Sequence, residues 1–386
     1  MTTILLIIIY IAFISLGLPD SMLGATWPMI RQDLSMPMSG AGLVAFITCA
    51  GTIVSSLFSG WLIKKLGTGK LTLISVLMTA VALLGVSTTK NYLFLCLFAV
   101  PLGLGAGAVD AGLNNFVALN FSAKHMSWLH CFWGVGATAG PIIMSAAIAR
   151  TGMWQKGYWI VAIIQFFLVG LLFVSLPIWN RFKDKDEEVT EEATKGNHII
   201  RLPGIIPTML GFFCYCALET SAGLWGASYL VQGKGLSAGV AAGWMSMFFL
   251  GITLGRFLNG FFTIKFSNPQ LIRVGEIIIG LGAIVLLIFN HPYTNLIGLV
   301  LIGFGCAPIY PSMLHETPIR FGKHNSTSLM GLQMAFAYVG STVIPPVLGL
   351  FMDKLGIGLY PVFILILLVV MLISSEKVNR TMVRKA

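Results

Sequence analysis

Three acidic side chains lie inside apolar stretches of this 386-residue sequence: Asp20, Asp110 and Glu219. Long, mostly uncharged segments flank each of them, so none is close to a polar connection. A charged side chain at the centre of a bilayer costs about 2.5 kcal/mol or more, and such residues usually face a water-filled cavity or a partner. Their type and placement predict proton binding or the recognition of a polar solute.

The rest of the chain is the scaffold that must hold these acids. It is 56% hydrophobic and 10% charged, with a mean hydropathy of +0.88. A water-soluble globule does not have this balance, because its surface would carry too few charges. The apolar segment after Met1 has neither a basic region nor a cleavage site, so we predict that it is the first span and not a removed signal peptide. The chain is predicted to be an all-α membrane protein.

We predict twelve transmembrane helices in two pseudo-symmetric six-helix bundles. The predicted spans are 3–29, 39–63, 71–88, 92–121, 127–149, 155–179, 203–231, 237–264, 269–289, 293–315, 325–351 and 355–374. A polar stretch over 180–202 has no apolar periodicity and predicts a cytoplasmic linker. It separates an N-terminal bundle (1–179) from a C-terminal bundle (203–376), which a cytoplasmic tail (377–386) follows.

The net charge of +10 has a membrane explanation. Most Lys and Arg residues fall in the connections that lie inside if the N-terminus is cytoplasmic, which predicts a plasma (inner) membrane protein with both termini cytoplasmic. The positive excess then faces anionic lipid, and no nucleic-acid partner is expected. The six cysteines show no metal-ligand spacing, and no nucleotide-binding motif occurs. We therefore expect no enzyme activity, cofactor or metal, and a monomer is sufficient for the fold.

The two predicted bundles repeat each other. Glycines, a lysine and a proline of the first half recur 200 to 204 residues later, in corresponding helices. The pairs are Gly51 and Gly251, Gly60 and Gly260, Lys65 and Lys265, Gly103 and Gly303, Gly136 and Gly340, and Pro141 and Pro345. Parallel repeats of this kind are typical of secondary transporters that work by alternating access.

The connection between the second and third spans carries a further signal. Its sequence, Gly-Trp-Leu-Ile-Lys-Lys-Leu-Gly-Thr-Gly-Lys over residues 60–70, resembles the signature of the major facilitator superfamily, with Lys64 where the family usually has an aspartate. The resemblance extends over essentially the full length of the chain. It implies the major facilitator fold and a gating role for Lys65.

Asp20 follows Pro19, which loosens the helix backbone. In a continuous helix, Asp20, Gly24 and Trp27 share one face. A carboxylate beside an aromatic ring suits a polyhydroxylated ligand, so we predict that Asp20 and Trp27 bind substrate. The alternative is a structural carboxylate bonded to a neighbouring helix.

Asp110 and Asn114 are four residues apart in a glycine-rich span and can share a face. A carboxyl group away from water favours its neutral form, so Asp110 is a candidate proton carrier. The acids of the first and fourth spans, with the run Leu113–Val117 after the second, resemble the fucose:proton symporter branch of the superfamily. That resemblance implies substrate binding at Asp20 and proton coupling at Asp110.

Glu219 lies as deep in the seventh span as Asp20 lies in the first, and Tyr215 shares its helical face. Asp110 aligns instead with Tyr310, which does not titrate near neutral pH. We therefore assign Asp110 to the proton and the Asp20–Glu219 pair to the ligand. Individually weaker candidates for substrate contacts are Asn114, Tyr215 and Gln333, since interhelical hydrogen bonds use the same residue types.

Arg256 lies near the inner end of the eighth span, where its long stem can reach the membrane surface, and we predict a gating or packing cation. Glu276, near the inner end of the ninth span, is predicted to be structural.

The functional prediction is a secondary transporter that imports a small polar solute, most simply a sugar, with protons. Two alternatives stay open. A proton-coupled exporter of drug-like or amphipathic compounds is compatible with the many Phe and Met residues. A sensor or lipid scaffold that binds without moving solute has no specific support.

Overall fold

The computed structural model describes residues 2–121, 123–179 and 202–383, and every regular element in these ranges is an α-helix. The first half of the chain forms α1 (Thr2–Asp20), α2 (Met22–Asp33), α3 (Gly40–Leu66), α4 (Thr68–Thr88), α5 (Tyr92–Asn120), α6 (Ala123–Thr151) and α7 (Trp154–Trp179). The second half forms α8 (Ile205–Lys234), α9 (Ala238–Phe262), α10 (Asn268–Ile288), α11 (Pro292–Phe321), α12 (Lys323–Leu355) and α13 (Leu359–Val383).

Twelve spans are long and apolar enough to cross a membrane among the described residues, as predicted. The first, Thr3–Asp33, contains both α1 and α2. At the other end of the chain, α13 runs to Val383, so the predicted tail from 377 begins inside a helix. The predicted linker 180–202 lies, except for Leu202, outside the described residues.

The chain divides into two compact units. Unit 1 comprises Met1–Thr190 and Ser237–Ser246, and unit 2 comprises Glu191–Leu236 and Met247–Ala386. Each unit is held by close helix packing at the repeated glycines. In unit 1, a Cβ added to Gly103 of α5 would lie 2.1 Å from the carbonyl oxygen of Thr48 on α3. In unit 2, a Cβ on Gly303 of α11 would lie 2.1 Å from the carbonyl oxygen of Phe248 on α9.

These contacts predict a cost for the smallest added side chain. We expect Gly103→Ala to lower the free energy of unfolding by about 1–3 kcal/mol, because overpacking forces two backbones apart. Gly170→Ala on α7 is the matched control, since no atom lies within 4 Å of its added Cβ. That control should be neutral or slightly stabilising. Denaturant unfolding of the purified variants measures both, and equal stability of the two would contradict the packing.

The first span is interrupted at Ser21, directly after Asp20. Pro19 has no N–H group, so it cannot donate to the carbonyl of Ser15, one turn earlier. Gln165 of α7 supplies the missing donor: its Nε2 lies 2.7 Å from the Ser15 carbonyl oxygen, and its Oε1 accepts from the Ser15 hydroxyl at 3.3 Å. A buried side chain from another helix thus stabilises the broken turn that presents Asp20.

Candidate functional site

Asp20 has an exposed side chain although it lies well inside an apolar span. The indole Nε1 of Trp133 on α6 donates a hydrogen bond of 2.8 Å to its Oδ2. The two helices meet without intervening side chains here, since a Cβ on Gly17 would lie 2.1 Å from the Trp133 carbonyl oxygen. An exposed carboxylate facing lipid is costly, so we infer that Asp20 faces an aqueous space.

Asp110 lies on α5 and is partly buried. Asn114 donates through Nδ2 to both its Oδ1 and its backbone oxygen, each at 2.9 Å, which fixes the carboxyl group against its own helix. The Asp110 carboxylate is close enough to Asp20 to act on it electrostatically. Unit 1 therefore brings its two intramembrane acids into one neighbourhood, which their separation in sequence does not indicate.

Neither Asp20 nor Asp110 takes part in an ion pair within the described ranges. Two neighbouring carboxylates without a cation repel each other when both are ionised, which favours the binding of a proton or another cation. This arrangement can bind a cation at one acid and accept hydrogen bonds from a polar ligand at the other.

Trp27 differs from Asp20 in exposure: Asp20 is exposed, whereas the Trp27 side chain is fully buried. A Cβ on Gly40 would lie 2.8 Å from its ring, so Trp27 packs against the start of α3. Its predicted contact with substrate stays a prediction.

Unit 2 presents an ion pair where unit 1 presents Asp20. Nη2 of Arg256 on α9 lies 3.2 Å from Oε1 of Glu219 on α8, and the two side chains are 19% and 18% exposed. The guanidinium group of Arg256 is directed to this carboxylate, as a packing cation would be. The predicted gating role of Arg256 stays a prediction.

The structure supports the correspondence of Asp20 with Glu219. In unit 1, Gly136 packs on the Ile14 carbonyl oxygen, and in unit 2 Gly340 packs on that of Phe213. Asp20 and Glu219 lie at equal distances along the chain from these two contact points. The equivalent positions thus carry acids with different partners: an indole N–H in unit 1 and a guanidinium group in unit 2.

Aromatic side chains surround the Glu219–Arg256 pair. Tyr215 is fully buried one turn before Glu219, and its hydroxyl donates to the Cys306 carbonyl oxygen at 3.1 Å. Tyr310, the counterpart of Asp110, donates to Met334 Sδ at 3.1 Å and lies within electrostatic range of Arg256. Tyr215 and Tyr310, each held by its own hydrogen bond, therefore lie beside the ion pair.

Two further candidates lie apart from these groups. Gln333 is fully buried on α12, where its Oε1 accepts from Thr317 at 2.9 Å. Lys65 is exposed at the end of α3, with Nζ 5.1 Å from the centre of the Trp61 ring. Their predicted roles, in substrate binding and gating, stay predictions.

Sequence reasoning missed Trp133 as the partner of Asp20. An uncharged donor in the fifth span carries no local motif, and no spacing relates it to an acid 113 residues away. The available signal was Gly136 in the same helix, whose repeat at Gly340 marks a close helix contact.

Comparison with known proteins relates the whole chain to transporters. A family model described as "Major Facilitator Superfamily" matches residues 9–345. The chain is 25% identical over 385 residues to the "Glucose/mannose transporter GlcP" of Bacillus subtilis (strain 168), with 96% of this chain and 94% of that protein covered. It is 22% identical to the "Sodium-dependent glucose transporter 1" of Homo sapiens, with 89% and 72% covered.

Among solved structures, the crystal structure of the nucleoside transporter NupG superposes with a TM-score of 0.79. The superposition covers 97% of this chain and 98% of that one, at 14% sequence identity. The crystal structure of a bacterial homolog to the human lysosomal transporter Spinster superposes with a TM-score of 0.72, covering 99% and 98% at 13% identity. At this level of identity, the similarity shows a shared fold.

Proposed function

The chain belongs to the Major Facilitator Superfamily and is a transporter of small solutes, and from this premise we propose that it carries a sugar together with protons. The observation that carries the proposal is the exposed Asp20 carboxylate, held by Trp133 inside an apolar span and close to a second acid. The sequence has no nucleotide-binding motif that would support ATP-driven transport.

Two kinds of evidence support a sugar. The relatives named above transport glucose or mannose according to their names, and one of them aligns over almost the entire chain. The site also suits a sugar: the Asp20 carboxylate accepts hydrogen bonds from hydroxyl groups, and the Trp133 indole is a flat apolar surface beside it. In unit 2, the Glu219–Arg256 pair offers both an acceptor and a donor.

Proton coupling is assigned to Asp110. Protonation of Asp110 removes its repulsion of Asp20 and so favours the ionised form of Asp20, which is the better acceptor for sugar hydroxyls. Binding of the proton then raises the affinity for the sugar, and binding of the sugar raises the affinity for the proton. The carrier reorients when both are bound. The charge distribution further supports a plasma (inner) membrane location with both termini cytoplasmic.

Counterflow in proteoliposomes tests the division of roles. This exchange of internal unlabelled for external labelled glucose needs solute binding but no proton gradient. We expect wild type and Asp110→Asn to show counterflow and Asp20→Asn to lose it. Equal loss in both variants would contradict the division. Counterflow of amphipathic drugs without glucose or mannose counterflow would indicate an exporter instead.

The Trp133–Asp20 hydrogen bond predicts a specific effect on affinity. Trp133→Phe keeps an aromatic ring and removes the N–H donor. A hydrogen bond to a charged group is worth about 1.5 kcal/mol or more, so the apparent Kd for the sugar should rise about tenfold. Trp154→Phe is the matched control, because Trp154 also donates to a carboxylate, that of Asp33, at 2.7 Å. Equal sugar affinity in wild type and Trp133→Phe would contradict the assigned role.

A further inference from the structure

Unit 2 contains a further acid within a span, and it is more deeply buried than Asp20, Asp110 or Glu219. Glu276 lies on α10 inside the span Asn268–Ile288, and its side chain is 1% exposed. Its Oε1 lies 2.9 Å from the hydroxyl oxygen of Ser375 on α13. Its Oε2 is buried without a hydrogen-bond partner among the described residues. An ionised carboxylate with one hydroxyl partner is very unfavourable in such a place.

The hydrogen-bond geometry allows the protonated form. The Ser375 hydroxyl oxygen lies 2.9 Å from Glu276 Oε1 and 3.0 Å from the carbonyl oxygen of Leu372. A hydroxyl has one hydrogen, and a backbone carbonyl can only accept. The hydrogen is either shared between Glu276 and Leu372 or given to Leu372 alone. In the second arrangement Ser375 accepts from Glu276, which is then a carboxylic acid whose O–H group points to Ser375.

The charged groups around Glu276 are all paired elsewhere. Arg273, one turn earlier on α10, pairs with Glu376 of α13. On α11, Arg320 pairs with Glu316, their Nε and Oε2 atoms lying 2.7 Å apart. No described cation forms an ion pair with Glu276. Arg273 is near enough to attract the Glu276 carboxyl group, but Glu376, its ion-pair partner, opposes this attraction with a negative charge of its own.

A small pocket reaches Ser375 but not Glu276 itself. It lies between α8, α10, α11 and α13, at the end of unit 2 where α10 begins and α11 ends, and Ser375 is part of its wall. Other polar groups of the wall are Thr208, Thr317, Arg320 and Asn379. Ser375 thus connects the pocket to the buried acid, and its hydroxyl can pass a proton between them.

We propose that Glu276 and Ser375 form a proton-binding site in unit 2, separate from Asp20 and Asp110, whose proton is bound in this structure and exchanges through the pocket. The bound proton joins α10 to α13 beside the Arg273–Glu376 pair. Its release would leave an uncompensated charge between the two helices and weaken their contact.

Infrared spectroscopy of the full-length protein in lipid tests the proposal. At neutral pH, Glu276→Gln should remove a carbonyl band of a protonated carboxyl group from the spectrum. Glu316→Gln is the matched control, because Glu316 is paired with Arg320 and should remove carboxylate bands. In wild type, raising the pH should convert the Glu276 band reversibly to carboxylate. Loss of carboxylate bands in Glu276→Gln would overturn the proposal, as would a protonated band that persists until the protein unfolds.

If Glu276→Gln does not fold, Ser375→Ala provides a second infrared test of the proposal. This variant removes the acceptor of the Glu276 O–H group and leaves the acid in place. The protonated carbonyl band should then move to higher frequency, because the O–H group loses its hydrogen bond. An unchanged spectrum would show that Ser375 does not accept from Glu276 and would overturn the proposal.

Discussion

Asp110→Asn should abolish the accumulation of sugar by a proton gradient while the carrier still equilibrates sugar across the membrane. The amide retains the shape of the side chain and its bond to Asn114 but cannot bind or release a proton. Proteoliposomes with an imposed inward proton gradient measure this: wild type should raise internal labelled glucose above the external concentration, and the variant should stop at equality.

Asp33→Asn is the matched control for that experiment. Asp33 is also an acid of unit 1 and accepts a hydrogen bond from Trp154, but it lies at the end of its span. Gradient-driven accumulation should persist in this variant. Accumulation by Asp110→Asn at the wild-type level would exclude Asp110 as the coupling residue.

Arg256→Gln should lower the free energy of unfolding by about 3 kcal/mol, because it leaves the largely buried Glu219 carboxylate without its counter-charge. The double variant Glu219→Gln, Arg256→Gln should recover much of this loss, since it leaves no unpaired charge. Denaturant unfolding in detergent measures each variant, and sugar binding to the double variant reports whether the pair also contacts the ligand.

The Arg273–Glu376 pair provides an internal comparison for that series. Its side chains are 53% and 28% exposed, so Arg273→Gln should cost about 1 kcal/mol or less. A cost for Arg256→Gln no greater than that for Arg273→Gln would show that the Glu219–Arg256 pair is not a buried ion pair.

The twelve spans and the repeat could be predicted because both depend on features of the local sequence. Apolar length identifies a span, and the recurrence of Gly103 as Gly303 identifies a close helix contact in each unit. The acids could be recognised for the same reason, since a charge in an apolar segment is locally conspicuous. Their depth, taken from the repeat, also aligned Asp20 with Glu219.

The partners of these acids could not be predicted, because they lie on other helices. Trp133 and Arg256 reach their acids across helix contacts, and no sequence spacing encodes such a contact. Gln165 of a distant helix donates to the Ser15 carbonyl beside this site, and Trp27 is fully buried; neither follows from local sequence. Glu276 lies near the end of its predicted span, so the sequence does not indicate its burial. The burial becomes visible only in the packing of α13 over α10.

Sugar-induced proton uptake is the most direct test of sugar and proton symport. Proteoliposomes are suspended in lightly buffered medium without a gradient, and glucose is added while the external pH and labelled glucose uptake are recorded together. We expect the medium to become more alkaline as glucose enters, and a protonophore to abolish the pH change but not the entry. Entry of glucose without any pH change would contradict proton symport.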